Sequence, residues 1–434
     1  MSSLDIGISS IAVVLVLLAF RIPIGVVLGI VSFFGLALVR GLDVAWGAMK
    51  SIPFDFSAHW SLSSIPMFLL MGAIAYHSGI SAAIFQAARV WLSNLPGGLA
   101  VATNIACAGF AAASGSSVAT AAAMGRIAIP EMLKNGYDKG LATGVVASGG
   151  TLGALIPPSI LFVLYGIFAE VSISKLLIAG VLPGVLTGAV YSTMIIARCW
   201  LKPELGPRVA SDVSWKERVQ ALGAVWPLAL LIIGVIGGLY GGIFGPTEAG
   251  ACGAFFAFVI ALLQRRLNLK LCATIVLEAT NTTSRLFFVA FGAVLYTKFL
   301  AIAGVSTFLA GLFQELAVDP LTLILLTSLI FFVLGMFLDP IGLMLITLPI
   351  LLPVFEAMDL SLIWLGVIVV KFVEIGMLTP PVGFNVYVIK SVVGDTISLE
   401  QIFRGVAWFL VCEVFIMILL FSFPAISLML PEAM

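Results

Sequence analysis

TLGALIPPS, residues 151–159, stands inside an apolar run, and EIGMLTPPV, residues 374–382, stands inside another 223 residues further on. Two consecutive prolines cannot continue a helix, because neither has the N–H that would bond back one turn and each ring crowds the carbonyl four residues earlier. A helix broken at membrane depth leaves carbonyls and N–H groups unpaired, which is tolerated only where protein or a water-filled cavity covers them. The offset extends beyond the prolines: Pro23 maps to Pro246, Pro130 to Pro353, Gly153 to Gly376 and Leu155 to Leu378. The apolar runs follow it too, Ile6–Phe20 over Ala229–Ile243, Ile22–Val39 over Gly245–Leu262 and Lys175–Trp200 over Ser398–Phe423. We read the chain as a duplication of one membrane unit.

Composition gives the same class. Of 434 residues 62% are hydrophobic and only 10% charged, against about 25% charged in an average soluble domain. So few charges exclude a water-soluble globule, a disordered chain and a coiled coil. Continuous runs such as Ile6–Phe20 are helical spans, unlike the alternating ten-residue strands of a barrel. Lys plus Arg and Asp plus Glu are both 21, and no basic domain points to nucleic acid. Cys107, Cys199, Cys252, Cys272 and Cys412 have neither metal-ligand spacing nor a disulfide pattern. MSSLDIGISS lacks the positive segment of a signal peptide, so the first apolar run is expected to stay as a membrane helix.

The expected fold is an all-α polytopic membrane protein of two inverted repeats, residues 1–200 and 223–434, joined by a cytoplasmic linker at 201–222. Each half has two helices, joined at Arg21-Ile22-Pro23 and at Phe244-Gly245-Pro246, then a third (about 60–78; about 283–301). Next comes a re-entrant hairpin, about 97–129 in the first half and about 320–353 in the second, whose arms are too short to cross a roughly 30 Å core. A broken helix follows, about 139–169 and about 362–391, and then a last span. Five crossings per half invert the second half relative to the first. Of the 21 basic residues, Arg40, Lys50 and Lys175 fall on the N-terminal side, Lys298 and Lys371 fall inside helices, and the other 16 fall on the opposite side. That side is therefore cytoplasmic, and both termini face the periplasm.

Paired broken helices in inverted repeats are the design of secondary transporters. Free carbonyls and hydroxyls suit a cation such as Na⁺, and free N–H ends suit a carboxylate. Ser114, Ser116, Ser117, Thr120 and Thr151 bring hydroxyls in the first half, and Asp339 and Thr379 bring oxygens in the second. Gly115, Gly149, Gly150, Gly153, Gly335 and Gly376 permit close approach of backbone. An acid at membrane depth such as Asp339 is a functional candidate by default. Lys371 and Glu374, at i and i+3, are expected to pair with each other. Glu248 is expected to cap a helix start after Pro246. Arg126 is either a cytoplasmic anchor or a substrate contact. Trp46, Trp60, Trp91 and Trp200 fit an aromatic belt, with His59 and His77 at the interface. An intramembrane protease is disfavoured: Ala112 and Ala113 precede Ser114-Gly115, and His-Glu-x-x-His is absent.

GSSVATAAAMG (115–125), GYDKG (136–140), LGALIPPSI (152–160), GPTEAG (245–250), FLDP (337–340) and EIGMLTPPVGFNVYV (374–388) resemble the large membrane subunit of tripartite ATP-independent periplasmic (TRAP) transporters, over about residues 6–423. The resemblance implies an elevator with scaffold and transport domains. It implies sodium-driven import of an organic acid across the inner membrane, with no enzymatic activity and no cofactor besides the coupling ions. It also implies two partners, a periplasmic solute-binding protein and a separate small four-helix membrane subunit. Carried over by the resemblance, one sodium site takes Ser114, Gly115, Ser116, Thr151 and Gly153, and the other takes Gly335, Asp339, Gly376, Thr379 and Pro380. The substrate lies between, near Ser116, Ser117 and Asn385. The alternative is a stand-alone sodium- or proton-coupled carboxylate transporter of the same superfamily that needs no binding protein.

Overall fold

A computed structural model describes residues 2–20, 22–208, 213–315, 319–358 and 360–434; Arg21, one of the basic residues counted above, lies outside them. Every regular element among the described residues is helical. In hydrocarbon each backbone group must pair within its own segment, which is what a helix does. Helix starts are marked by short polar side chains that accept from the free first-turn N–H groups. Ser398 does this for Leu399–Ser422, Asn268 for Leu269–Ala303 and Ser361 for Leu362–Leu378. At Pro246–Leu263 the Glu248 carboxylate instead accepts from the Gly245 N–H, the expected capping role.

The first half runs through Ser3–Ala19, Ile24–Arg40, Leu42–Ser57, Ser64–His77 and Ile80–Leu92 to a hairpin of Gly98–Ser114 and Ser117–Lys134. A broken helix follows as Lys139–Gly150, Leu152–Leu155 and Ile160–Phe168, bent by 42°. Ile173–Ala179 and Val181–Leu201 close the half. The second half has Trp226–Tyr240, Pro246–Leu263, Leu269–Ala303, a short helix at Val305–Glu315 and a hairpin of Pro320–Gly335 and Pro340–Ala357. Its broken helix is Leu362–Leu378 and Phe384–Val393, and Leu399–Ser422 follows. Both Pro157-Pro158 and Pro380-Pro381 peptides are cis.

Among the described residues five helices are individually long and apolar enough to cross a bilayer, or up to eight if each sharply bent pair is one span. Ser3–Ala19 and Ile24–Arg40 have 17 residues each. At 1.5 Å per residue that is about 25 Å, short of a roughly 30 Å core. The halves also differ where sequence treated them alike. Leu42–Ser57 and Trp60–His77 meet at 58°, whereas the matching stretch is one uninterrupted helix of 35 residues, Leu269–Ala303. Pro53 and Pro66 interrupt the first copy, and the second has no proline. The expected linker contains a helix, Trp215–Gly223, with a Ser214/Glu217 capping box. It is pinned to the first half by Trp91, whose ring lies 5.5 Å from Trp215 and whose indole N–H donates to the Arg218 carbonyl.

The halves also meet where Lys139–Gly150 packs on Leu399–Ser422. A Cβ on Gly405 would run into the Gly140 carbonyl, and one on Gly144 would lie 2.6 Å from the Gly405 carbonyl carbon. The GYDKG stretch is therefore architecture. Tyr137 OH accepts from Leu99 N–H at 3.0 Å and caps the first hairpin arm, Asp138 caps Lys139–Gly150 by accepting from Leu141 N–H, and Gly140 admits Gly405.

Candidate ion and substrate site at the hairpin tips

The first hairpin turns on Gly115 and Ser116. Gly115 is left-handed at φ 61°, and Ser116 caps the returning arm by accepting from Ala119 N–H at 3.4 Å. This tip fits into the break of Lys139–Phe168. Ile160 N–H donates to the Gly115 carbonyl at 3.2 Å, and a Cβ on Gly115 would strike the Pro158 carbonyl. On the other side of the break, a Cβ on Gly153 would lie 2.6 Å from the Ser116 carbonyl oxygen. Ser114 Oγ and Thr120 Oγ1 are 2.9 Å apart across the turn, and Thr151 Oγ1 donates to Ser148 O at 2.6 Å. The fold thus brings Ser114, Gly115, Ser116 and Gly153 to one place, with Thr151 two residues from Gly153. Replacing Gly115 by Ala should undock this tip, since the added methyl meets both an unfavourable φ and a fixed carbonyl. The expected cost is about 1–3 kcal/mol, read as faster thermolysin cleavage at the turn, with Gly47→Ala, at a position with open space, unaffected.

The second hairpin repeats the docking with other residues. Gly335 and Gly376 pack backbone on backbone: a Cβ on Gly335 would lie 3.0 Å from Gly376 Cα. Thr379 ends Leu362–Leu378, donating its N–H to Gly376 O at 3.1 Å and its hydroxyl to Ile375 O at 2.7 Å, and Pro380 follows. Asp339 is half-buried and caps Pro340–Ala357, its carboxylate accepting from Gly342 N–H at 3.0 Å. That bond uses part of one carboxylate oxygen, so capping and cation binding can coexist.

Ser117 and Asn385 each reach the opposite half. Ser117 Oγ donates to Glu374 Oε1 at 2.6 Å. Asn385 Nδ2 donates to the Ala147 carbonyl at 3.2 Å, and its fully buried Oδ1 has no partner among the described residues. Arg126 is exposed and donates to Tyr76 OH at 3.3 Å.

One expectation is overturned. Lys371 and Glu374 do not pair with each other. Lys371, fully buried, forms its ion pair with Glu413 on Leu399–Ser422 and lies 3.5 Å from Thr187 Oγ1. The Tyr191 hydroxyl donates to the other oxygen of Glu413. Glu374 instead takes the Ser117 hydroxyl and keeps Oε2 without a hydrogen bond. The reason is geometric: helices packed on both sides offer Lys371 and Glu374 separate partners that point at them directly. Sequence reading passed over Glu413, although an acid inside an apolar span was signal enough.

The helical hairpins inserted into broken helices are the architecture of membrane transporters. The fold matches the YdaH transporter of Alcanivorax borkumensis with a TM-score of 0.57 at 15% identity, covering 90% of this chain and 88% of that one. The chain belongs to the family described as the DctM component of the tripartite ATP-independent periplasmic transporters, whose model matches residues 11–426. It is 38% identical over 382 residues (87% of this chain, 88% of the relative) to the C4-dicarboxylate TRAP transporter large permease protein DctM of Pseudomonas aeruginosa. It is 34% identical to the protein of the same description from Vibrio cholerae, over 94% of each chain. It is 30% identical to the sialic acid TRAP transporter large permease protein SiaM of Vibrio cholerae, over 96% of each.

Proposed function

We propose that this chain imports an organic acid across the inner membrane, driven by sodium, with the acid delivered by a periplasmic binding protein and a small four-helix membrane subunit completing the scaffold. The observation that carries the reading is the docking of each hairpin tip into a helix break, which gathers hydroxyls, carbonyls and Asp339 around two points. The named relatives handle C4-dicarboxylates and sialic acid, which share only the carboxylate, so the cargo class is an organic acid. In this reading residues 1–200 and 223–434 are inverted repeats with both termini periplasmic. Ser114, Gly115, Ser116, Thr151 and Gly153 hold one sodium ion, and Gly335, Asp339, Gly376, Thr379 and Pro380 hold the other. The acid sits near Ser116, Ser117 and Asn385. Sodium at the tips orders them, so the loaded form binds the acid better and moves as one elevator.

The test is uptake into proteoliposomes holding this chain and its small subunit, with the binding protein and labelled carboxylates outside and an inward sodium gradient. Asp339→Asn keeps a good capping side chain but removes the charge. It should raise the sodium concentration for half-maximal uptake roughly tenfold, as expected when a charged ligand becomes neutral, while leaving thermal stability close to the parent. Asp339→Ala should in addition lose about 1 kcal/mol of helix capping. Unchanged sodium dependence in Asp339→Asn removes Asp339 from the ion site. Uptake that needs sodium but no binding protein would make the chain a stand-alone symporter.

A further inference from the structure

A cavity of about 670 Å³ lies away from the hairpin tips. Residues 56–61 and helix Leu269–Ala303 form one side, and the end of the first broken helix forms the other. The two sides meet where Phe56 packs on Phe168, ring centroids 6.4 Å apart. Lys298, His59, Glu170 and Ser61 all line this space. Neither Lys298 nor Glu170 forms an ion pair or hydrogen bond with any described residue, although they share one cavity. Lys298 sits in the last two turns of an apolar helix with its side chain exposed to this space, as the Glu170 side chain is. Glu170 is one of two non-glycine residues at positive φ among the described residues, at 51°. It is fixed there by Ala169 N–H to Tyr165 O at 2.8 Å and Val171 N–H to Gly166 O at 3.0 Å. The second bond is the Schellman ending of Ile160–Phe168, with Glu170 in the left-handed position that glycine usually takes. The same end of Leu269–Ala303 packs on the first helix, since a Cβ on Gly7 would lie 2.9 Å from Ala303 Cβ. The cavity therefore lies near the N-terminal face, which the basic-residue asymmetry puts outside.

We propose that this cavity is a loading site for a carboxylate that also bears hydroxyl groups. Lys298 takes the carboxylate, Glu170 accepts from a ligand hydroxyl, and the Phe56 and Phe168 rings cover the carbon chain. The inference rests on the transport reading and adds to it a waiting position at the outer face. A cation and an anion in one pocket, each without a protein partner, fit a ligand with an acceptor at one end and donors at the other better than a simple fatty acid or a simple cation.

The experiment uses the full chain in lipid nanodiscs, where both faces are reachable. Cys252→Ser and Cys272→Ser remove the two partly exposed thiols, the other three being buried. Ser61→Cys then reports on the cavity through its rate of modification by anionic sulfonatoethyl and cationic trimethylammonioethyl methanethiosulfonate. Lys298→Gln should slow the anionic reagent about fivefold, the equivalent of one screened charge contact, and leave the cationic reagent unslowed; Lys298→Arg should restore the rate. Gluconate should slow labelling in the parent and hexanoate should not, both without sodium, and Glu170→Gln should erase that difference. Equal protection by the two acids, an unreactive Ser61→Cys, or a Lys298→Gln variant with unchanged anionic rate each overturns the loading site. Protection that persists when uptake proves independent of sodium would overturn the sodium reading and leave the loading site standing. Absent protection in a preparation that performs sodium-driven uptake would overturn the loading site alone.

Discussion

Replacing Lys371 by Met should destabilise the protein by about 3 kcal/mol, because it leaves the Glu413 carboxylate in the core with its cationic partner gone. Lys371 and Glu413 are 0% and 1% exposed at their side chains, so water cannot compensate. Glu413→Leu alone should cost a similar amount by stranding the ammonium, which would keep only the Thr187 hydroxyl at 3.5 Å. The double variant Lys371→Met/Glu413→Leu should recover most of the loss, since a buried ion pair replaced by packed apolar groups is often neutral or stabilising. The measurement is thermal unfolding of the four purified proteins, arranged as a double-mutant cycle. If the double variant is as unstable as the sum of the singles, the pair is not the unit described here. Lys371 and Glu413 both belong to the second half, and Thr187 and Tyr191 of the first half bond to them.

Gly405→Ala should be as damaging, by a different route. The new methyl would meet the Gly140 carbonyl, and neither helix can yield locally, since Lys139–Gly150 presents backbone at that point. Forced overpacking of this kind costs about 1–3 kcal/mol, and more where only backbone can move. The expected result is a fall in monodisperse yield and in unfolding temperature. Gly188→Ala, on a helix where the added carbon meets nothing within 4 Å, should match the parent or gain slightly. If Gly405→Ala behaves like Gly188→Ala, the two helices are free to separate and this contact does not unite the halves.

The hairpin turns, both helix breaks and the capping role of Glu248 were legible from sequence because each depends on residues within about four positions of one another. Gly115 makes its turn, Ser116 and Asp339 start the helices that follow, and Pro157-Pro158 and Pro380-Pro381 end the helices before them. The family resemblance also named residues that come together at the tips, Gly153 with Ser116 and Gly376 with Gly335. It misjudged Lys371 and Glu374 for the same local reason: an i, i+3 spacing permits a pair but does not compel one when neighbouring helices supply Glu413 and Ser117.

By itself, the sequence determined that this is a helical membrane protein of transporter type with two broken-helix units, because hydrophobic run length, helix-breaking prolines and basic-residue placement are properties of the chain read in one dimension. Only the tertiary structure decided which buried charges meet, that Gly140 exists to admit Gly405, and that Lys298 and Glu170 share a cavity without touching. Those facts depend on distances between different helices far apart in the chain, set by packing of whole helix faces, and nothing local in the sequence encodes them.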